Sequence, residues 1–225
     1  TAIDLSLRSL AYAKYAANEY RVSNIEFAQA DLLDLGSTGK MYDIIECVGV
    51  LHHLADPIAG LKAITDRLKP GGLMQIALYS AVSREELTEL RLEPEFPGAE
   101  CSEAEARIYR GMLRDRSEEA TGGELTNSID FWSLSGFRDL VLHVSEHQFR
   151  LPEIETALGD LGLEFRGFAL HPQTTGEFEA AYPNDPWPGT LANWWAYEQE
   201  NPRLFDGMYN FWLEKPDPSR PAPAS

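Results

Sequence analysis

The chain is short of cysteine, of basic residues and of long apolar runs, and each shortage removes a class of protein. Only two cysteines, Cys47 and Cys101, occur in 225 residues. They stand in no paired or metal-ligand spacing, which argues against a disulfide framework and fits a reducing compartment, so a cytoplasmic location is expected. Nineteen Lys and Arg face 36 Asp and Glu, for a formal charge of −17. That field keeps the chain soluble and repels phosphate backbones, so no nucleic-acid partner is expected. No apolar run approaches the roughly 20 residues of a membrane span, and no charged-then-apolar leader is present, so no membrane partner is expected. A starting Met is missing too, and the chain reads as a piece of something longer.

What is present over residues 1–80 is an alternation of short β-like runs and amphipathic helices, the pattern of a parallel α/β sheet covered on both faces. The strands are "TAID", "IEFAQAD", "YDIIECVG" and "LMQIALYS". Between them "SLRSLAYAKYAANEY" is Ala-rich with Ser6 placed to cap it, and "DPIAGLKAITDRL" starts on Asp56 and Pro57, both favourable at a helix N-terminus. "KPGG", Lys69 to Gly72, is expected to end that helix and turn the chain into the next strand. From Ala81 to about Arg150 the character changes to charged helices, read as an inserted lid. "LPEIETALGDLG" and "LEFRGFAL" then resume a helix and a strand. "TLANWWAYEQENPRLF" and "GMYNFWLEK" add one more of each, up to about residue 215, before a Pro-rich tail over 216–225 that is expected to be disordered.

Ligands of open parallel sheets bind at the carboxyl ends of the strands. Asp4, Asp31 and the pair Glu46 and Cys47 fall there. A carboxylate at such an end can accept both hydroxyls of a ribose, or it can simply cap the helix that follows; on spacing alone the two readings of Asp4 stand level.

The stretches "AIDLS", "AQADLLDL", "YDIIECVGVLHHLADP" and "LKPGGLMQIALYS", in this order, resemble the later motifs of class I S-adenosylmethionine-dependent methyltransferases. "LPEIETALGDLGLEFRGFAL" and "MYNFWLEK" resemble the helix and antiparallel strand pair that close that sheet. "DFWSLSGFRDLVLHVSEHQFRLPEI" resembles more narrowly a bacterial group often found behind tetratricopeptide repeats, which makes an upstream repeat domain a possible partner. The resemblance implies a Rossmann-like α/β fold, S-adenosyl-L-methionine as cofactor, and a small molecule or protein as methyl acceptor. It places Asp4, with Leu5 beside it, on the ribose hydroxyls, and Asp31 and the Leu32 N–H on the adenine. Cys47 and Val48 fall where backbone carbonyls meet the methionine ammonium, and Val50 to His53, His52 included, pack beside the cofactor. The family's first strand and its glycine-rich turn have no counterpart here, so the sheet is expected to lack a central strand and the chain to be inactive alone.

For an acceptor that must lose a proton, a histidine or carboxylate is the expected base. His53 and the "HVSEH" residues His143, Glu146 and His147 are the candidates; on a helix, 143, 146 and 147 would share one face under the lid. The same pentad fits the H-x-x-E-H pattern of inverted zincin proteases, with Glu153, Glu155 or Glu164 as a nominal third ligand. A non-catalytic interaction module of degenerate fold is a further alternative. The late aromatics Trp187, Trp194, Trp195, Tyr197, Phe205, Tyr209, Phe211 and Trp212 read either as an acceptor wall or, preferably, as packing of the terminal hairpin.

Overall fold

In the computed structural model the residues described are 1–119, 125–143, 146–185, 187–205 and 207–219. Strand β1 (Ala2–Asp4) leads through Ser6 into helix α1 (Leu7–Glu19); the Ser6 hydroxyl accepts the Ser9 N–H at 3.2 Å, satisfying one of the donors that a helix start leaves open. Strand β2 (Phe27–Gln29) is followed by a 3₁₀ turn over Leu32–Thr38, capped by Asp31. Strand β3 (Tyr42–Val48) passes through a short 3₁₀ turn, Leu51–His53, into helix α2 (Pro57–Thr65), whose cap Asp56 accepts the Ala59 N–H at 2.9 Å. Strand β4 (Leu68–Tyr79) corrects one expectation. "KPGG" lies within this strand instead of before it. Tyr42 pairs with Leu68 and Ile44 with Leu73, so the extra residues bulge out, and Gly71 makes the bend at φ 73°.

The charged middle of the chain forms helices α3 (Glu85–Leu90), α4 (Glu103–Glu119), α5 (Ile129–Trp132) and α6 (Leu134–Phe137), with a π-helical turn over Arg138–Leu142. These elements bury a core of their own, including Leu87, Leu90, Tyr109, Phe131, Phe137 and Leu142. Helix α7 (Leu151–Leu161) returns to the sheet by burying Leu151, Ile154, Ala157 and Leu158 on one face, and Gly162 ends it in the left-handed conformation. Strand β5 (Glu164–Phe168), helix α8 (Pro172–Ala181), helix α9 (Leu191–Glu200) and strand β6 (Met208–Glu214) complete the order. Helix α8 was not evident in the sequence, because its apolar content is low and only Phe178 is fully covered. Of the tail, residues 220–225 lie outside the described residues.

The strands form two groups. β1 and β2 pair in parallel; β3, β4, β6 and β5 form a second sheet in that order, with β3 parallel to β4 and β6 antiparallel to both its neighbours. The last strand of the chain thus inserts between β4 and β5. The late aromatics serve mainly as packing: Trp194, Phe205, Tyr209 and Phe211 are all buried in the main core, and Trp194 stacks on Phe178 at 3.6 Å between ring centroids. Trp187 instead remains 41% exposed.

One buried acid sits in this core with no ion-pair partner among the described residues. Glu198 is fully buried and accepts hydrogen bonds from the Ser80 hydroxyl and from Tyr209, each at 2.9 Å. Burial raises its pKa more than the Tyr209 and Ser80 hydrogen bonds lower it. Glu198→Gln is therefore expected to keep the fold within about 1 kcal/mol, whereas Glu198→Ala, which strands two buried hydroxyls, should cost about 2 kcal/mol. Urea unfolding of the two variants separates these outcomes.

Candidate active site

The carboxyl ends of β1 and β3 open onto a cleft of about 580 Å³. Its lining includes Asp4 and Leu5 after β1, Asp31 and Leu32 after β2, and Cys47, Val48 and Val50 at the end of β3. Both acids are fixed by their own turns. One Asp4 carboxylate oxygen accepts the Ser6 N–H at 2.7 Å, and one Asp31 oxygen accepts the Leu33 N–H at 2.9 Å. The two readings of Asp4 thus coexist. Ser6 supplies the helix cap, and Asp4 steadies Ser6 while lining the cleft. Cys47 is buried, and burial alone pushes its thiol up to about 11, so the thiol is not nucleophilic at neutral pH. Gly49, between two lining residues, adopts φ 74° with open space where a Cβ would stand, which lets the chain turn away without closing the cleft.

The same cleft runs down between the strands. Ala2 and Ile3 line one side, and Tyr42, Ile44 and Ile45 the other. Among the described residues β1 pairs only with β2, and β3 only with β4, so each has one open edge. Ile44 is 57% and Val48 49% exposed, unusual for apolar residues on a strand inside an α/β sheet.

Beside the cleft, past the end of β3 and β4, lies a cluster of rings. His52 stacks on Tyr79 with centroids 3.7 Å apart; His53 meets His52 at 4.4 Å and His143 at 4.7 Å, both edge to face. Arg84 lies over the Tyr79 ring, 3.8 Å from its centroid. His52 is fully buried, and that burial, helped by His53, depresses its pKa to about 4, against a weaker opposing pull from Glu146. It is neutral at physiological pH.

The remaining candidates fall elsewhere than a shared helical face. The π-helical turn ends at Leu142, His143 has extended backbone with ψ 111°, and Glu146 and His147 are outside any helix; Val144 and Ser145 lie outside the described residues. Glu146 is an anchor between arginines: its side chain is 1% exposed, bonded to Arg91 at 2.7 Å and to Arg84 at 3.3 Å. Burial would raise its pKa, but the Arg91 hydrogen bond and the Arg84 charge outweigh this and hold it low, which makes it a poor proton acceptor. His147 is more exposed, pairs with Glu153 at 2.6 Å, and donates its backbone N–H to the His52 carbonyl at 2.8 Å. No group of three His, Cys, Asp or Glu able to hold a metal exists among the described residues, so the zinc-protease reading has no structural support.

Residues 1–74 match the family described as "Methyltransferase domain". Over these residues the chain matches a methyltransferase domain of the class I S-adenosylmethionine-dependent kind. It is 31% identical over 189 residues to uncharacterized protein syc1184_c of a Synechococcus species, covering 75% of this chain and 42% of that protein. It is 34% identical over 83 residues to the ubiquinone biosynthesis O-methyltransferase of Acinetobacter baylyi, covering 36% of this chain and 34% of that enzyme. The chain thus spans less than half the length of either curated relative. In fold it is similar to PKMT2 from Rickettsia typhi, with a TM-score of 0.68 at 15% identity over 97% of this chain and 44% of that one.

S-adenosylmethionine is the cofactor of this domain class, and the cleft fits one half of it. The cleft presents two acids at strand ends, Asp4 and Asp31, and an open lining of Leu5, Leu32 and Val48, in a volume typical of small-ligand sites. Toward the methionine half it has the turn at Gly49, and among the described residues no glycine-rich strand turn faces β1. Three parts of the ring cluster escaped sequence reading. Tyr79, Arg84 and Arg91 are ordinary residues in the sequence, and only the fold brings them to the histidines and Glu146.

Proposed function

We propose that this domain transfers a methyl group from S-adenosylmethionine to an acceptor held beside the ring cluster. The observation that carries this reading is the cleft at the strand ends with Asp4 and Asp31 on its lining. Asp4 takes the ribose hydroxyls, Asp31 and the Leu32 N–H take the adenine, and the Cys47–Val48 backbone faces the amino-acid end. The cofactor supplies an already activated methyl group, so the protein's task is alignment in a water-poor site, with a base wherever the acceptor carries a proton. His53 and His143 are the candidates for that base, because Glu146 is held by arginines and His147 by Glu153. The helical segment 81–150, with its own core, is the lid that shapes the acceptor side. The acidic chain favours a neutral or cationic acceptor. The O-methyltransferase relative and the S-adenosylhomocysteine complex of the Rickettsia protein accord with this reading.

The open edges of β1 and β3 favour a second element in the proposal: the methionine half of the cradle is completed by a further strand and turn of the parent protein. Calorimetry tests both parts. Adenosine and S-adenosylhomocysteine should bind within about tenfold of each other, because the nucleoside contacts dominate. Asp4→Ala and Asp31→Ala should each weaken both ligands by about tenfold or more, the worth of a hydrogen bond to a charged group. A preference for S-adenosylhomocysteine beyond about a hundredfold would show a complete cradle. Binding of neither ligand would favour the same fold acting as a non-catalytic interaction module, whose docking surface would be the open edges.

A further inference from the structure

The ring cluster contains buried imidazole nitrogens without a well-formed hydrogen bond among the described residues. Nδ1 of His143 is inaccessible to solvent and has no hydrogen-bond partner among the described residues, and the equally buried nitrogens of His52 have only the Ala77 carbonyl nearby, outside good hydrogen-bond geometry. Buried polar atoms in native structures are nearly always satisfied, and the exceptions concentrate where a ligand or ordered water belongs. The cluster is also reachable: His53, Tyr79 and His143 each keep part of their surface. Its place is set by the sheet. Tyr79 ends β4, two residues past Ala77, which pairs with Val48 at the end of β3, and Val50 on the cleft lining begins the turn that carries His52 and His53.

We propose that His52, His53, Tyr79 and His143 form the seat of the acceptor's reacting group, and that this group is an uncharged hydroxyl on a flat, phenol-like or enol-like molecule. The proposal rests on the methyl-transfer reading above and deepens it. Three observations select the chemistry. An unanswered ring nitrogen that carries no proton needs a hydrogen-bond donor, which a hydroxyl provides. The buried carboxylate beside the seat, Glu146, is already bonded to Arg84 and Arg91, so it is not free to hold an ammonium ion, whose burial would then be costly. The walls are ring faces and edges, with His53 edge-on to Tyr79 at 5.7 Å and to His143 at 4.7 Å, which suits a planar aromatic. Both faces of Tyr79 are covered, one by His52 and the other by Arg84. Its ring therefore positions neighbours and leaves the ring edge toward the seat.

In the step itself, the hydroxyl oxygen bonds to the methyl carbon as the carbon–sulfur bond of the donor breaks. The hydroxyl proton passes to the His143 imidazole, which keeps part of its surface, and the imidazolium later releases it to water. Charge and atoms balance: the donor's positive charge leaves as that proton, with S-adenosylhomocysteine and the methyl ether as products. Glu146 acts as a positioning residue that fixes Arg84 on Tyr79.

The test uses the full chain saturated with S-adenosylhomocysteine and titrated with 4-nitrophenol, whose phenolate absorbs in the visible. The wild type should bind the probe and raise its phenolate band. His143→Phe should weaken probe binding by about tenfold or more while S-adenosylhomocysteine affinity stays within about twofold. His143→Gln, which keeps a hydrogen-bond acceptor but is no base, should retain most of the binding and lose the phenolate band; it also covers the case in which the Phe variant fails to fold. Absence of probe binding to a wild type that does bind S-adenosylhomocysteine overturns the acceptor seat alone. Equal binding and equal band in wild type and both variants overturns it as well. A wild type that binds no S-adenosylhomocysteine overturns the methyl-transfer reading beneath it.

Discussion

Glu146→Ala will cost the folded state about 3–5 kcal/mol, the penalty of leaving buried charges without their partner. The carboxylate is 1% exposed and bonds two guanidinium groups whose side chains are themselves only 5% and 11% exposed, Arg84 and Arg91. Those arginines flank α3 and also donate to the carbonyls of Leu140 and Val141, the open acceptors at the end of the helical turn before His143. Gln148 adds a bond to Glu146 at 3.1 Å and another to Thr88 at 3.2 Å. Removing the carboxylate therefore leaves two confined cations facing each other at the junction of sheet and helical segment. Glu146→Gln, which preserves shape and some hydrogen bonding, should lose about half as much. Exposed Glu155, on α7, serves as the control, and its alanine variant should stay within about 0.5 kcal/mol. Denaturant unfolding of the three variants gives the comparison; a loss under about 1 kcal/mol for Glu146→Ala would mean that the arginines find other partners.

The same residue shows where sequence reading ran out. Spacing made His143, Glu146 and His147 one face of a helix, and local pattern had no means of knowing that the helical turn stops at Leu142. What ends it is non-local: Glu146 is drawn to arginines 62 and 55 residues earlier in the chain, and no periodicity in a short window reports such a partner. Asp4 and Asp31 were legible for the opposite reason. Each follows a short apolar strand directly, so the carboxyl-end rule for parallel sheets locates both without tertiary information. The order of strands lay between these cases. The hydrophobic runs marked β3, β4, β5 and β6, but that the last of them slots between β4 and β5 follows from antiparallel pairing, which the resemblance implied and the pattern alone did not. Helix α8 and the strand bulge at "KPGG" were lost because turn residues punctuate a chain without saying whether the break lies between elements or within one.

Acidification will destabilise the domain through His52 before its carboxylates titrate. Burial holds the folded-state pKa of this histidine at about 4, against an ordinary value of 6.5. A base whose folded pKa is depressed contributes stability that is complete above pH 6.5 and is lost as pH falls toward 4, because in that window only the unfolded chain takes up the proton. At about 1.4 kcal/mol per pH unit the whole loss is about 3 kcal/mol, an amount that full burial of the ring does not discount. Two other buried groups act outside or against this window. Glu146, held low by its arginines, adds a further loss only below its ordinary value of 4.5. Glu198, held high by burial, works the other way, since its folded form gains relative stability as pH falls toward 4.5. His52→Phe removes the titration and keeps a flat ring on Tyr79. Its unfolding free energy, measured by urea melts at pH 7, 6, 5 and 4.5, should fall by about 2 kcal/mol less than that of the wild type over that range. Parallel curves for the two proteins would show that His52 reaches a proton-stabilising partner in the folded state, and the unanswered nitrogens beside Tyr79 would then need another explanation.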